Sequence, residues 1–186
     1  MNEVYGFKQE VIHKYSLSVF NLFSELFKYL PIAHLINDKV LVIHGGLPED
    51  PKVTLQDMEK FQRFKEPSEG SPMFDLLWCD PSDSKGRPPS ARGVSTSFGP
   101  DITEEFCKRN NIELVIRSHE AQMEGYKVMH NSKCVTIFSA PNYCDEMKNK
   151  AAIIHLKEDL KPSFITFEAS PHPPGEKFMT NLYNLA

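Results

Sequence analysis

Apolar residues recur at three- and four-residue steps from Tyr5 through Val11, Ile12, Tyr15, Val19, Phe20, Phe23, Leu26 and Phe27 to Leu30, and Pro31 ends the run. That spacing predicts a long amphipathic helix with a break near residues 16–18. The next apolar run, KVLVI over residues 39–43, is short and rich in β-branched side chains. It closes on His44-Gly45-Gly46, so it predicts a buried strand feeding a tight turn, with the histidine at the strand's carboxyl end.

Residues 54–63 have a helical opening with Thr54 as N-cap, residues 67–72 read as loop, and residues 73–78 are apolar again. Residues 80–98 (DPSDSKGRPPSARGVSTSF) are rich in Pro, Gly and Ser, carry Lys85, Arg87 and Arg92, and predict a long surface loop. A short helix is expected over residues 101–110, with Asp101 as N-cap, Glu104 completing a capping box, and Asn110-Asn111 as its end. Strand-like segments follow at residues 114–116, 135–138, 151–156 and 164–167. Helices first and strands later predict a layered α/β or α+β domain.

Composition narrows the classes. The chain has 186 residues, 40% of them apolar, which suits one globular domain with a sizeable core. The formal charge is −4 and no Lys/Arg cluster exceeds a pair, so an extended nucleic-acid groove lacks its basic footprint. No apolar stretch approaches the length of a membrane span, and no signal-peptide pattern opens the sequence; the expected setting is intracellular, cytoplasmic or nuclear. Cys79, Cys107, Cys134 and Cys144 are scattered without a C-x-x-C pair, which predicts reduced thiols rather than a zinc site or a disulfide framework.

Three segments share one design, an apolar run ending abruptly in polar residues and a turn: VLVIHGGL, LVIRSHE and VTIFSAPNYC. Strand ends are where side chains distant in sequence converge on a ligand, so His44, His119 and Asn142-Tyr143 are candidates for one site. A neutral imidazole offers one lone pair to a metal while its other nitrogen is oriented by an acceptor. Each histidine also suits a buried, backbone-bonded role, and two histidines are an incomplete ligand set. Arg92, between Ser90-Ala91 and Gly93, could swing its guanidinium onto a phosphate or lie solvated; Arg87 and Arg117 read as exposed and solvated. Tyr143 offers a phenol and a ring, against a packed and satisfied tyrosine. Trp78 fits core burial or a half-exposed platform. His13, His34, His130, His155 and His172 read as structural or exposed.

The segments VIHGGL, LLWCDP, ARGVSTSFG, RSHEAQMEGY and FSAPNYCDEMKNKAA stand in the order and spacing of the phosphoprotein phosphatase family, and the chain resembles that family over essentially its whole length. Within the family it is similar to the type-5 subfamily, through LFSELFKYLPIAHLIN, PSEGSPMFDLLW and SPHPP. The resemblance implies a calcineurin-like metallophosphoesterase β-sandwich flanked by helices, and hydrolysis of phosphoserine and phosphothreonine in proteins by water activated at two divalent ions of the Mn, Fe or Zn class. It implies His44 and His119 as ligands of one ion and Arg92 as phosphate clamp. By the same resemblance Tyr143 lies beside the phosphate, and Trp78 and Cys144 belong to the substrate-binding surface.

The family's GDxHG, GDxxDRG and GNHE motifs do not occur in this sequence. The resemblance therefore implies a partial catalytic domain over residues 1–186, with a C-terminal tail over 177–186 and an N-terminal metal-binding half absent. It also implies weak metal binding by this chain alone, and a helical-repeat (TPR) regulatory domain in the complete protein. The competing expectation is a catalytically inactive fragment or a binding module of the same fold.

Overall fold

The computed structural model describes residues 1–171, so the tail at 177–186 and His172 lie outside the described residues. The chain forms two compact units, the first containing residues 1–30 and the second residues 31–169.

In the first unit the expected helix is two helices, α1 (Phe7–Lys14) and α2 (Leu17–Tyr29). Ser16 makes the break: its backbone is extended and its hydroxyl accepts from the Val19 amide at 3.3 Å, an N-cap that ends one helix and starts the next. Phe7 packs against Phe20, Phe23 and Phe27, with ring centroids 6.1, 5.5 and 5.7 Å apart.

The second unit is built on a five-stranded sheet of order β1-β2-β5-β7-β6, where β1 is Ala33–Ile36, β2 Val40–Ile43, β5 Leu114–Arg117, β6 Tyr126–Met129 and β7 Cys134–Ile137. The central three strands are parallel and both edges are antiparallel. Side chains alternate across this sheet with the period of a strand. Leu41, Ile43, Val115 and Cys134 point to a core shared with Met58, Leu76, Phe106 and Cys107. These come from α3 (Leu55–Glu59), α4 (Pro72–Trp78) and α5 (Pro100–Asn110). Val40, Leu114, Ile116 and Val135 face the other way and pack on Ile154, Leu156 and Phe164. Those belong to a hairpin of β8 (Ala151–Leu156) and β9 (Pro162–Phe167). Helices, sheet and hairpin thus make the expected layered α/β arrangement.

Several local expectations need correction. Strands β1 and β6 carry no alternation clear enough to announce them; each is an edge, with exposed or half-buried positions on both faces. Asp101 is not the N-cap of α5. Gly99 holds that place, Pro100 sits in the first turn, and the Asp101 carboxylate accepts from the Gly86 amide at 2.9 Å. The segment 80–98 is not all surface: Asp80-Pro81 (β3) and Ser97-Phe98 (β4) pair in parallel, and Phe98 is fully buried. All four cysteines are free, and burial pushes the Cys79 and Cys134 thiols up to about 12. Among the described residues, no helix is long and apolar enough to cross a membrane.

Candidate functional site

Because β2, β5 and β7 are parallel, their carboxyl ends leave the sheet along one edge. His44 follows β2 directly, and the Ser118 amide donates to its carbonyl at 3.0 Å, which locks the exit of β5 beside that of β2. His119 is the next residue. The two imidazole rings stand 4.9 Å apart between centroids, tilted by 45°.

Gly45 and Gly46 make this approach possible. The Gly45 amide donates to the Leu76 carbonyl at 2.7 Å, and a Cβ at Gly45 would lie 2.4 Å from the Leu77 carbonyl carbon. A side chain there would push the His44 turn off the end of α4. Trp78, the last residue of α4, stacks on Phe74 and sets its ring edge-on to His119, with centroids 5.5 Å apart. It is half-buried, a platform beside the histidines rather than a core residue.

Asp80 gathers the cations. It accepts from Arg92 Nε at 2.6 Å and from Arg117 Nη2 at 2.6 Å. Arg92 Nη2 also donates to the His119 carbonyl at 2.9 Å, so the loop arginine, though exposed, reaches across to the histidine strand end. Among the described residues, its Nη1 makes no hydrogen bond. Burial raises the Asp80 pKa, but the contacts with His119, Arg92 and Arg117 outweigh it and hold the carboxyl well below the usual carboxylate range. The nearest approach of His119 to that carboxylate, Nδ1 to Oδ1, is 3.4 Å, an ion-pair distance without hydrogen-bond alignment.

Arg117 is the largest correction. The expectation was a solvated side chain; the guanidinium is fully buried and donates to the Gly45 carbonyl, Glu120, the Cys79 carbonyl and Asp80. It ties the His44 turn, the end of α4 and the His119 strand end into one piece. Arg87 is likewise held, donating to the Leu47 and Pro48 carbonyls. A sequence shows an arginine's charge but not its partners, and Asp80 was marked only by its place in the LLWCDP segment.

Tyr143 and Cys144 lie on the turn after β7, both exposed, with Tyr143 edge-on to Phe138 at 5.1 Å. Among the described residues, no hydrogen bond or ring contact joins either of them to His44, His119 or Arg92; both follow a strand that ends at the same sheet edge. The turn is held by buried Asn149, whose Oδ1 accepts from the Tyr143 amide at 2.8 Å and whose Nδ2 donates to the Ala140 and Lys150 carbonyls.

The donor set suits a divalent cation in part. His119 Nδ1 is buried and makes no aligned hydrogen bond, and in the Nε2–H tautomer it presents a lone pair that a metal could take. His44 is exposed, yet the cover that its neighbours give part of the ring lowers its pKa, and the nearby His119, Arg117 and Arg92 lower it further. Its neutral form, the one that can bind a metal, is thereby favoured. Among the described residues, no group of three or more His, Cys, Asp or Glu side chains forms a complete cage, and Asp80 is committed to the arginines. Two nitrogens are present; further donors are required.

Comparison with known proteins is consistent with this geometry. The signature of calcineurin-like phosphoesterases matches residues 2–123. Serine/threonine-protein phosphatase 5 of Homo sapiens is 53% identical over 93% of this chain, which covers 35% of that protein. Serine/threonine-protein phosphatase T of Trypanosoma brucei brucei is 51% identical over 93% of this chain, 37% of its own length. The chain thus spans about a third of the curated relatives it matches. A solved protein serine/threonine phosphatase from Saccharomyces cerevisiae, described as similar to human phosphatase PP5, superposes with a TM-score of 0.88 at 42% identity. The match covers 94% of this chain and 58% of that one.

Proposed function

Because the chain belongs to the calcineurin-like phosphoesterase family, we propose that it supplies one wall of a two-metal centre that hydrolyses phosphoserine and phosphothreonine in proteins. Divalent metal ions are the cofactors of that family's chemistry; in this proposal they are of the Mn, Fe or Zn class. When bound, such ions offset charge on phosphoryl oxygens and make water a stronger nucleophile.

The observation that carries the proposal is the pairing of two adjacent imidazoles with an arginine anchored to the backbone of one of them. His44 and His119 hold one ion. Arg92 is kept rigid by Asp80 and the His119 carbonyl, and turns its remaining nitrogen, Nη1, to the phosphate; a pre-oriented guanidinium loses little freedom on donating to a phosphate oxygen. Trp78 forms the floor for the residue that carries the phosphate, and Tyr143 and Cys144 line the same edge of the sheet. The reaction consumes water, breaks the phosphoester P–O bond, and releases inorganic phosphate and the free hydroxyl. Three buried free thiols suit the reducing intracellular setting that belongs to the proposal.

The incomplete ligand set favours a second possibility, a non-catalytic module of the same fold. Phosphopeptide hydrolysis with Mn²⁺ separates the two. The chain alone is expected to give no turnover. Joined to the segment that precedes the matched region in its relatives, it is expected to turn over, with His119→Ala abolishing activity and Arg92→Ala reducing it severely. No activity in the joined protein, or ordinary rates in those variants, would overturn the catalytic assignment.

A further inference from the structure

His130 has no part in the site assigned above, yet the base of the Arg92 loop rests on it. The side chain is buried, and its Nε2 lies 2.9 Å from the Ser82 carbonyl oxygen. A carbonyl only accepts, so Nε2 carries the proton and Nδ1 presents a lone pair. The Thr103 hydroxyl of α5, 2.7 Å away, then donates to Nδ1. The ring also stands edge-on to Phe98, with centroids 5.6 Å apart at 85°. Burial lowers the imidazole's pKa, the hydrogen bond from Nε2 to Ser82 opposing it, which keeps the ring in this neutral tautomer.

These contacts reach both ends of the loop. Ser82 follows β3 and Phe98 belongs to β4; the two are joined by the Ser82 amide donating to the Phe98 carbonyl at 2.8 Å. Two residues before Ser82 is Asp80, the carboxylate that seats Arg92 Nε. The backbone that delivers the ring is itself unusual. His130, Asn131 and Ser132 are all left-handed, at φ 52, 55 and 65°, in the turn between β6 and β7 closed by the Lys133 amide on the His130 carbonyl. Both central residues of a tight two-residue hairpin turn adopt this conformation; the histidine before them need not. Its left-handed backbone is retained where the inward-facing imidazole is held on three sides.

We propose that His130 is a positioning residue for Arg92: the imidazole clamps Ser82 to Thr103 and Phe98, and so fixes the strand that carries Asp80 and, through it, the arginine. The functional consequence rests on Arg92 being the phosphate clamp, but the positioning is measurable without substrate, so a failure of the catalytic assignment would leave this test intact.

Nitrogen-resolved NMR of the full chain tests it. The His130 imidazole is expected to show the Nε2–H tautomer, and the Arg92 Nε–H to be protected from exchange by its carboxylate partner. His130→Phe keeps a ring against Phe98 and removes both hydrogen bonds; it should speed Arg92 Nε–H exchange on the order of tenfold while the amides of Val115 and Val135 stay as protected as in the parent. His130→Gln, which can donate to Ser82, should restore most of the protection. If His130→Phe does not fold, Thr103→Val carries the test and should speed the same exchange. An unmoved Arg92 signal, or exchange that rises equally at Val115 and Val135, overturns the proposal.

Discussion

Asp80 and Arg117 form an ion pair at 2.6 Å in which the guanidinium is wholly shielded from solvent. The same carboxylate holds Arg92, so one side chain joins a structural arginine to a functional one. Removing the carboxylate strands a buried positive charge that, among the described residues, pairs otherwise with Glu120 alone. Asp80→Ala is expected to lower stability by about 3 kcal/mol, measured by urea unfolding. A protein of unchanged stability would show that Arg117 is not organised by this pair.

The turn at His44 makes an independent prediction. A methyl group at Gly45 would meet backbone of Leu77 rather than a side chain that could move aside. Gly45→Ala should therefore destabilise by about 1–3 kcal/mol and shift the His44 ring resonances. A variant with the parent's unfolding midpoint and an unperturbed His44 would mean the turn has room to adjust.

Strong periodicity makes most elements of this fold legible in the amino-acid sequence. Ser16 interrupts a helical stripe, the run that ends at His44-Gly45-Gly46 is a strand, and Thr54 is the N-cap of α3. The edge strand holding Leu35 and Ile36 is not legible, because an edge has no buried stripe to announce it. The two histidines can be named from their strand ends and the family motifs. Arg117 and Asp80 cannot, since their roles exist only once α4 and the ends of β2 and β5 meet. Asp101 misleads for a similar reason: its carboxylate is drawn to the Gly86 amide, a tertiary partner that local capping patterns do not reveal.

Protonation gives a third check. The His44 pKa is lowered, so the folded protein prefers the neutral ring. The stability tied to that ring is complete above the free histidine value of about 6.5 and is lost as pH falls through the lower folded value. An imidazole titration by NMR should place the His44 midpoint below the free histidine value of about 6.5. A midpoint at or above that value would contradict the partly covered, cation-flanked setting.

The claim that matters most is that His44 and His119 act together on one divalent ion, since His119 Nδ1 is buried without a hydrogen bond and its ring centroid is 4.9 Å from that of His44. Paramagnetic broadening of the histidine side-chain resonances by added Mn²⁺ measures this on the chain itself. His44 and His119 should broaden together, ahead of exposed His34 and His155, and His119→Ala should remove the effect at His44 as well. Equal broadening at all four, or a His44 response that survives loss of His119, would contradict a shared metal site.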